Sequence, residues 1–358
     1  MLCVLRMVLT PMLTPITPDA RQWDEFVRAQ PNAHLLQLSG WGALKGAFGW
    51  SSERVALADE DGRIRAGAQV LYRAFPARLF HMAYVPMGGY VSADEQWPML
   101  WQAVRRAASR HRTAFIKWEP GLFLGQDSGP QPAAMGFVPA PQTVQPPRTI
   151  VLDLSLDEEA LLARMNQGTR RKIRQSQKGD VRYFVAETPA DVARFAALMQ
   201  VTGERNDFGV HNEAYYRMAH ALFAPRDAAL VLAEHEGDLL AGVFVAAVDG
   251  ARGGQAWYLY GASADIKRDL MASYGVQWAA IQWARSRGCA WYDLWGIPDE
   301  DEATLEAQFQ QRRDGLWGVY GFKRGWGGQV VRSAGTWDMP TLRPIYALYG
   351  QMLRRRGG

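Results

Sequence analysis

Leu57–Val70, LADEDGRIRAGAQV, is nearly repeated at Leu232–Val245 as LAEHEGDLLAGVFV, 175 residues later. A second echo follows: RHRTAFIKW at Arg110–Trp118 and RGCAWYDLW at Arg287–Trp295, 177 residues apart. Two matches in one order at nearly one displacement indicate a duplicated unit rather than two accidental strands. Outward from these stretches, Asp61-Gly62 predicts a hairpin between strands 54–60 and 65–72. Glu236-Gly237 predicts another between strands 228–234 and 240–248. Each hairpin is followed by a third strand (one ending near Val85, the other over 255–260), a helix (93–110 and 271–287) and a fourth strand (115–118 and 290–294). Hairpins are antiparallel, whereas a crossover helix allows a parallel step. The expectation is an α/β fold with mixed-sheet α+β character. The cleft between the two units is the first place to look for a site.

At 358 residues the chain suits two domains. Asp19 caps a short first helix over 19–30, with Trp23, Phe26 and Val27 on one face. In the second unit, strand 149–154 leads into a helix over 156–177, and helices follow at 191–204 and 215–223. Pro130–Pro147 holds six prolines and reads as a linker or an extended wall of the cleft. A net charge of +4 gives no case for a protein that coats nucleic acid generally. Cys3 and Cys289 stand in unrelated contexts, which excludes a disulfide scaffold and agrees with a reducing cytosol. The apolar start, MLCVLRMVLT, is short and has no small-residue cleavage site, so it is not read as a signal peptide. No run approaches 18 apolar residues, leaving surface association as the only membrane contact expected.

Charge is concentrated locally. Arg164, Arg170, Arg171, Lys172, Arg174 and Lys178 place six basic residues within fifteen positions, with Ile173 the large aliphatic residue among the last five of them. Such a helix is either an ordinary solvated face or a landing strip for phosphates, which positions a polyanion without reading bases. Arg354-Arg355-Arg356 adds charge at the end of the chain, or is a frayed tail.

Several segments together resemble the peptidoglycan bridge-forming aminoacyltransferases, the FemABX family. They are QLSGWGALK at Gln37–Lys45 with Phe48-Gly49-Trp50, YVPMG at Tyr84–Gly88, and RRKIR at Arg170–Arg174. WYLYGA at Trp257–Ala262, Tyr292-Asp293 with Gly296, and GFKRGWGG at Gly321–Gly328 complete the set. The resemblance implies tandem GNAT-like acyltransferase domains, in the compact form without a long helical-hairpin insertion. The first domain would comprise 1–148 plus 324–358, the final stretch returning to complete it, and the second 149–323. It implies transfer of an amino acid from aminoacyl-tRNA to a side-chain amine of a peptidoglycan precursor pentapeptide, UDP-linked or lipid-linked. No cofactor is called for. A monomer in the cytoplasm, at the inner face of the cell membrane, is the expected form.

An aminoacyl ester is already activated and a deprotonated amine is a competent nucleophile, so positioning and charge stabilisation carry most of the chemistry. No Ser–His–acid triad and no closely spaced Cys/His set for zinc is evident. By the resemblance, Lys323 lies at the transfer centre with Phe322 packed below it; a surface lysine is the competing account. Lys45 corresponds to a lysine that contacts the precursor's diphosphate, a task suited to a mobile point charge. Tyr258 and Tyr260 alternate on a strand, which would aim both hydroxyls to one side to hold the acceptor; a core tyrosine pair is the alternative. Where the family places an arginine four residues before a tyrosine, this chain has His211 and Tyr215. His211 lacks arginine's permanent charge and fork, and Arg205 would substitute if its loop folds back. The basic cluster would contact tRNA. Two other readings stay open: an acyl-CoA-dependent N-acyltransferase of the same fold, although YGASADIKRDLMASYG lacks a compact glycine cradle for pyrophosphate, and a non-catalytic protein binding RNA or a membrane surface.

Overall fold

The computed structural model describes residues 13–124, 130–206, 208–251 and 253–356. Cys3 and the apolar start lie outside them. The first lobe begins with strand β1 (Thr14–Ile16) and helix α1 (Ala20–Arg28). Asp19 and Gln22 form a reciprocal capping box on α1, which buries Trp23, Phe26 and Val27. Helix α2 (Ser39–Ala47) precedes the hairpin β2 (Ser51–Ala58) and β3 (Ile64–Ala74), then β4 (His81–Val85), β5 (Tyr90–Val91), α3 (Trp97–Arg110) and β6 (Thr113–Trp118). The short β7 (Val138–Pro139) lies inside the proline-rich segment. That segment is no free linker, since Phe137 is buried against Trp101 and Trp118 in the first lobe's own core.

The second lobe starts with β8 (Arg148–Asp153). The expected single helix over 156–177 is two, α4 (Glu158–Arg164) and α5 (Gln167–Ser176). Met165 between them is extended and buried, and the Asn166 side chain accepts the Thr169 N–H at 2.7 Å to start α5 afresh. There follow β9 (Arg182–Val185), α6 (Pro189–Asn206), α7 (Glu213–Phe223), the hairpin β10 (Ala228–His235) and β11 (Asp238–Val248), β12 (Gly254–Ser263), α8 (Ala272–Ser286) and β13 (Cys289–Asp293). Helices α9 (Glu302–Gln308) and α10 (Trp317–Lys323), strands β14 (Gln329–Arg332) and β15 (Trp337–Pro340), and helix α11 (Arg343–Arg356) end the chain.

The first sheet runs β1-β2-β3-β4-β6-β15-β7 and the second β14-β8-β13-β12-β11-β10-β9. In both, an antiparallel three-strand meander is joined through a helix to a parallel fourth strand: β4 beside β6, and β12 beside β13. The result is a mixed α/β fold of two sheet-containing lobes with GNAT-like acyltransferase architecture. Residues 324–358 do not return as one block. β14 pairs with β8 of the second sheet, and only β15 pairs with β6 of the first. The buried pair Lys117–Asp338, 2.8 Å, fastens β15 there.

The lobes share one apolar cluster. Residues from α1 and α2, such as Trp23, Val27, Trp41 and Leu44, pack with Phe195, Tyr216, Phe223, Phe244 and Trp257 of the second lobe. Gly40 permits a close approach: a Cβ there would stand 2.8 Å from the Phe223 ring on α7. Arg28 and Asp227 add an ion pair across the junction at 2.7 Å.

Candidate active site

Gln37 explains why α2 sits where it does. Fully buried, it donates to the Pro86 carbonyl at 2.6 Å and accepts from the Gln69 N–H at 2.8 Å. The start of the QLSGWGALK stretch is thereby sewn to β3, and α2 presents its last turn to the second lobe. Lys45 on that turn donates to the Tyr215 hydroxyl at 2.9 Å, which in turn lies 3.1 Å from that of Tyr260. The ammonium also lies 4.6 Å from the centre of the Trp41 ring. Burial, and then the charge of Arg73, lower the Lys45 pKa to about 8. His211 stacks on Tyr215 at 3.6 Å. Burial of the ring face and the Lys45 charge lower its pKa to about 4, although much of the side chain faces solvent. It is therefore a neutral hydrogen-bonding group at neutral pH rather than a cation.

Arg205 does not fold back to this cleft. Its guanidinium is held by the carbonyl and hydroxyl of Ser263 at 3.0 and 3.2 Å. With Lys172 it lines a separate cavity of about 720 Å³ at the start of α8. Arg73, which the sequence did not single out, supplies the second positive charge beside Lys45. It is the next-to-last residue of β3 and lies 5.3 Å from the centre of the Trp50 ring.

Tyr258 and Tyr260 do not share a side. Facing strand β11 steps directly from Phe244, opposite Tyr260, to Val245, opposite Tyr258, so Leu259 is an extra residue. Such a bulge shifts the alternation by one. Tyr260 therefore packs in the inter-lobe cluster, and Tyr258 against the core on the other face.

Lys323 lies on that second face, 5.6 Å from the centre of the Tyr258 ring. It is the last residue of α10, only 7% exposed, and donates to the carbonyls of Trp295 and Gly296 at 3.2 and 2.8 Å. Burial lowers its pKa to about 8, opposed by the charge of Asp293. Asp293, also missed, accepts from Thr149 and from the Trp295 N–H, holding the turn in which Trp295 takes φ +60°. Phe322 does not face the cleft with Lys323; it packs on Tyr274 and Trp326. Nor do the glycines of GFKRGWGG leave backbone open. A side chain on Gly325 would collide with Thr169, and one on Gly327 with the backbone of Arg164 and Met165.

The lobes differ at the end of the parallel ladder. In the second, the parallel ladder stops at Trp257 and Asp293 while β12 continues to Ser263, and the buried Lys323 ammonium bonds the carbonyls just beyond the end of β13. In the first, the chain beyond the ladder is bonded back. The Glu119 N–H donates to Val85, Gly88 donates back to Glu119, and the Glu119 carboxylate collects Tyr84, Val144, Gln145 and Thr336.

The basic cluster is divided. Arg171, Arg174 and Lys178 share a depression of about 810 Å³ on α5. Arg170 turns inward to the carbonyls of Ala163 and Met165, ending α4. Lys172 donates to Tyr274 at 2.9 Å, and Arg164 reaches Asp153 at 4.0 Å. Among the described residues no three His, Cys, Asp or Glu side chains gather as a metal site.

The sequence profile of the FemAB family matches residues 19–132, 136–238 and 241–354. The chain belongs to the FemAB family. It is 25% identical to the lipid II:glycine glycyltransferase of Staphylococcus haemolyticus and 24% identical to that of Staphylococcus aureus strain COL, with 94% of each chain covered in both cases. A crystal structure of FemX superposes with a TM-score of 0.82 at 22% identity, covering 94% of this chain and 99% of that one. A tandem GNAT protein from the clavulanic acid biosynthesis pathway gives 0.55 at 13% identity, covering 92% and 98%.

Proposed function

We propose that this FemAB-family chain is an aminoacyl-tRNA-dependent aminoacyltransferase that adds an amino acid to a side-chain amine of a lipid-linked peptidoglycan precursor. One arrangement carries the reading: a tyrosine-lined cationic cluster and a buried lysine stand on opposite faces of β12, at the bulge beside the point where the second sheet's parallel ladder stops short. Lys45 and Arg73 receive the precursor's diphosphate, Tyr260 and Tyr215 hold its polar stem, and the aminoacyl ester enters beside Lys323. The acceptor nitrogen attacks the ester carbonyl, the new C–N bond forms, the C–O bond to the ribose breaks, and the amine's proton ends on the ribose hydroxyl. An ammonium has three N–H donors. Two of those on Lys323 are taken by carbonyls, which leaves one for the oxygen that becomes negative in the tetrahedral intermediate. Arg171, Arg174 and Lys178 hold the tRNA backbone.

The lobes are two GNAT-like units in tandem, 13–147 with the segment from Ser333 onward, and 148–332. The bonds of Glu119 leave the first unit to bind acceptor and the second to hold donor. A tRNA donor places the reaction in the cytoplasm, and a lipid-linked acceptor at the inner face of the membrane.

The test is incubation with labelled aminoacyl-tRNA and either the lipid-linked or the UDP-linked precursor. Acceptor-dependent loss of the tRNA ester with amide formation is expected, and Lys45→Ala should weaken acceptor binding at least tenfold, as loss of a charged hydrogen bond worth about 1.5–3 kcal/mol requires. Amide formation from acyl-CoA instead, or no transfer with either acceptor, would reject the reading.

A further inference from the structure

The C-terminal helix α11 carries apolar side chains on both its inner and its outer side. Tyr346 and Tyr349 pack inward on Phe115 of β6, with ring centres 5.3 and 4.7 Å away. The outer side carries Leu348 and Met352, one turn apart and 53% and 46% exposed, where a surface helix ordinarily carries polar groups. Its sequence, RPIYALYGQMLRRR, has four arginines and no acidic residue.

The same end of the first sheet carries a second piece of the surface. The 75–80 loop joins β3 to β4, with Phe75 against Phe115 at 6.1 Å and Leu79 55% exposed beside Arg78. This loop and the start of α11 meet the same strand end: His81 N–H donates to the Arg112 carbonyl, and Leu342 N–H to that of Ala114. From Tyr72 to Ala93 and from Met339 to the end of the chain there is no Asp or Glu. Exposed leucine and methionine on segments that also carry exposed arginines match the requirements of an anionic bilayer surface, where apolar tips enter the acyl boundary and guanidinium groups meet phosphates. Two such faces would repel one another, which disfavours a second copy of this chain as the occupant.

We propose that α11 and the 75–80 loop form a docking surface for an anionic phospholipid leaflet. Arg73 lies in the last two residues of the strand that enters the loop, so docking would set Lys45 and Arg73 near the headgroup layer, where the diphosphate of a lipid-linked acceptor lies. That link rests on the transferase reading above; the docking surface is argued from the helix and loop themselves.

The experiment is sedimentation of the whole protein with vesicles of phosphatidylglycerol and phosphatidylcholine, or of phosphatidylcholine alone, with no substrate present. Partitioning onto the anionic vesicles should be at least tenfold stronger and should weaken with salt. Replacing Arg343, Arg354 and Arg355 by Gln should weaken it about 100-fold, the equivalent of about 1 kcal/mol for each charge. Leu79→Glu/Leu348→Glu/Met352→Glu should abolish it while the melting temperature and tRNA binding stay at wild-type level. Equal partitioning onto both vesicle types, or unchanged binding by both variants, overturns the proposal. Self-association lost in the same variants, without vesicle binding, overturns it in favour of a second copy. Because vesicle binding is read without substrate, its failure and failure of the transferase reading are separate results.

Discussion

Lys323 shows how much one side chain's surroundings decide. An alkylammonium on the surface titrates near 10.4; buried among carbonyls, this one falls to about 8. Its protonated form is the useful one, so the transfer rate should fall as pH rises through about 8. Lys323→Arg, charged throughout that range, should move the fall upward. Lys323→Ala should slow single-turnover transfer about 100–1,000-fold, as loss of an oxyanion donor does, with acceptor affinity nearly unchanged. A rate near wild type with weakened affinity would make Lys323 a binding residue instead. The stability consequence has a definite sign. Between the folded value near 8 and the unfolded value near 10.5 the unfolded chain holds more protons, so this group makes the fold more stable as pH rises through that window.

At the scale of elements, α5 separates binding charge from structural charge. Its basic residues look equivalent in sequence, but Arg170 ends α4 while Arg171, Arg174 and Lys178 face a common depression. Replacing those three with Gln should lower the slope of log affinity against log salt for tRNA by about 2–3, since each phosphate contact releases counterions. Replacing Arg170 should instead lower the melting temperature. Equal salt slopes for wild type and the triple variant, measured by filter binding over a salt series, would remove this patch from the tRNA contact. The bulge in β12 matters in the same way. One inserted residue, Leu259, turns a same-sided tyrosine pair into a pair that reads two faces of the sheet.

For the whole molecule, the first sheet is completed by a strand that arrives more than 200 residues after β6, and the buried Lys117–Asp338 pair is its fastening. Removing one partner strands the other charge. Asp338→Ala should therefore cost about 3–5 kcal/mol in urea unfolding. Replacing both partners by apolar residues of matching volume should recover most of that loss. A single substitution costing less than about 1 kcal/mol would show that β15 is held by its backbone ladder alone.

The sequence by itself determined what depends on local pattern. The Asp-Gly and Glu-Gly hairpins, the Asp19 cap, the two crossover helices and the repeated strand order were all legible, because period and turn chemistry act over a few residues. So were the marks of the family. Only the tertiary structure decided which charges meet. Arg73 joins Lys45 because β3 ends beside Trp50, whereas Arg205 is captured by Ser263. Asp293 stands behind Lys323 because β13 ends where α10 arrives. Those outcomes rest on contacts between residues far apart in the chain, on a bulge that alternation cannot forecast, and on desolvation, which exists only once the lobes have packed.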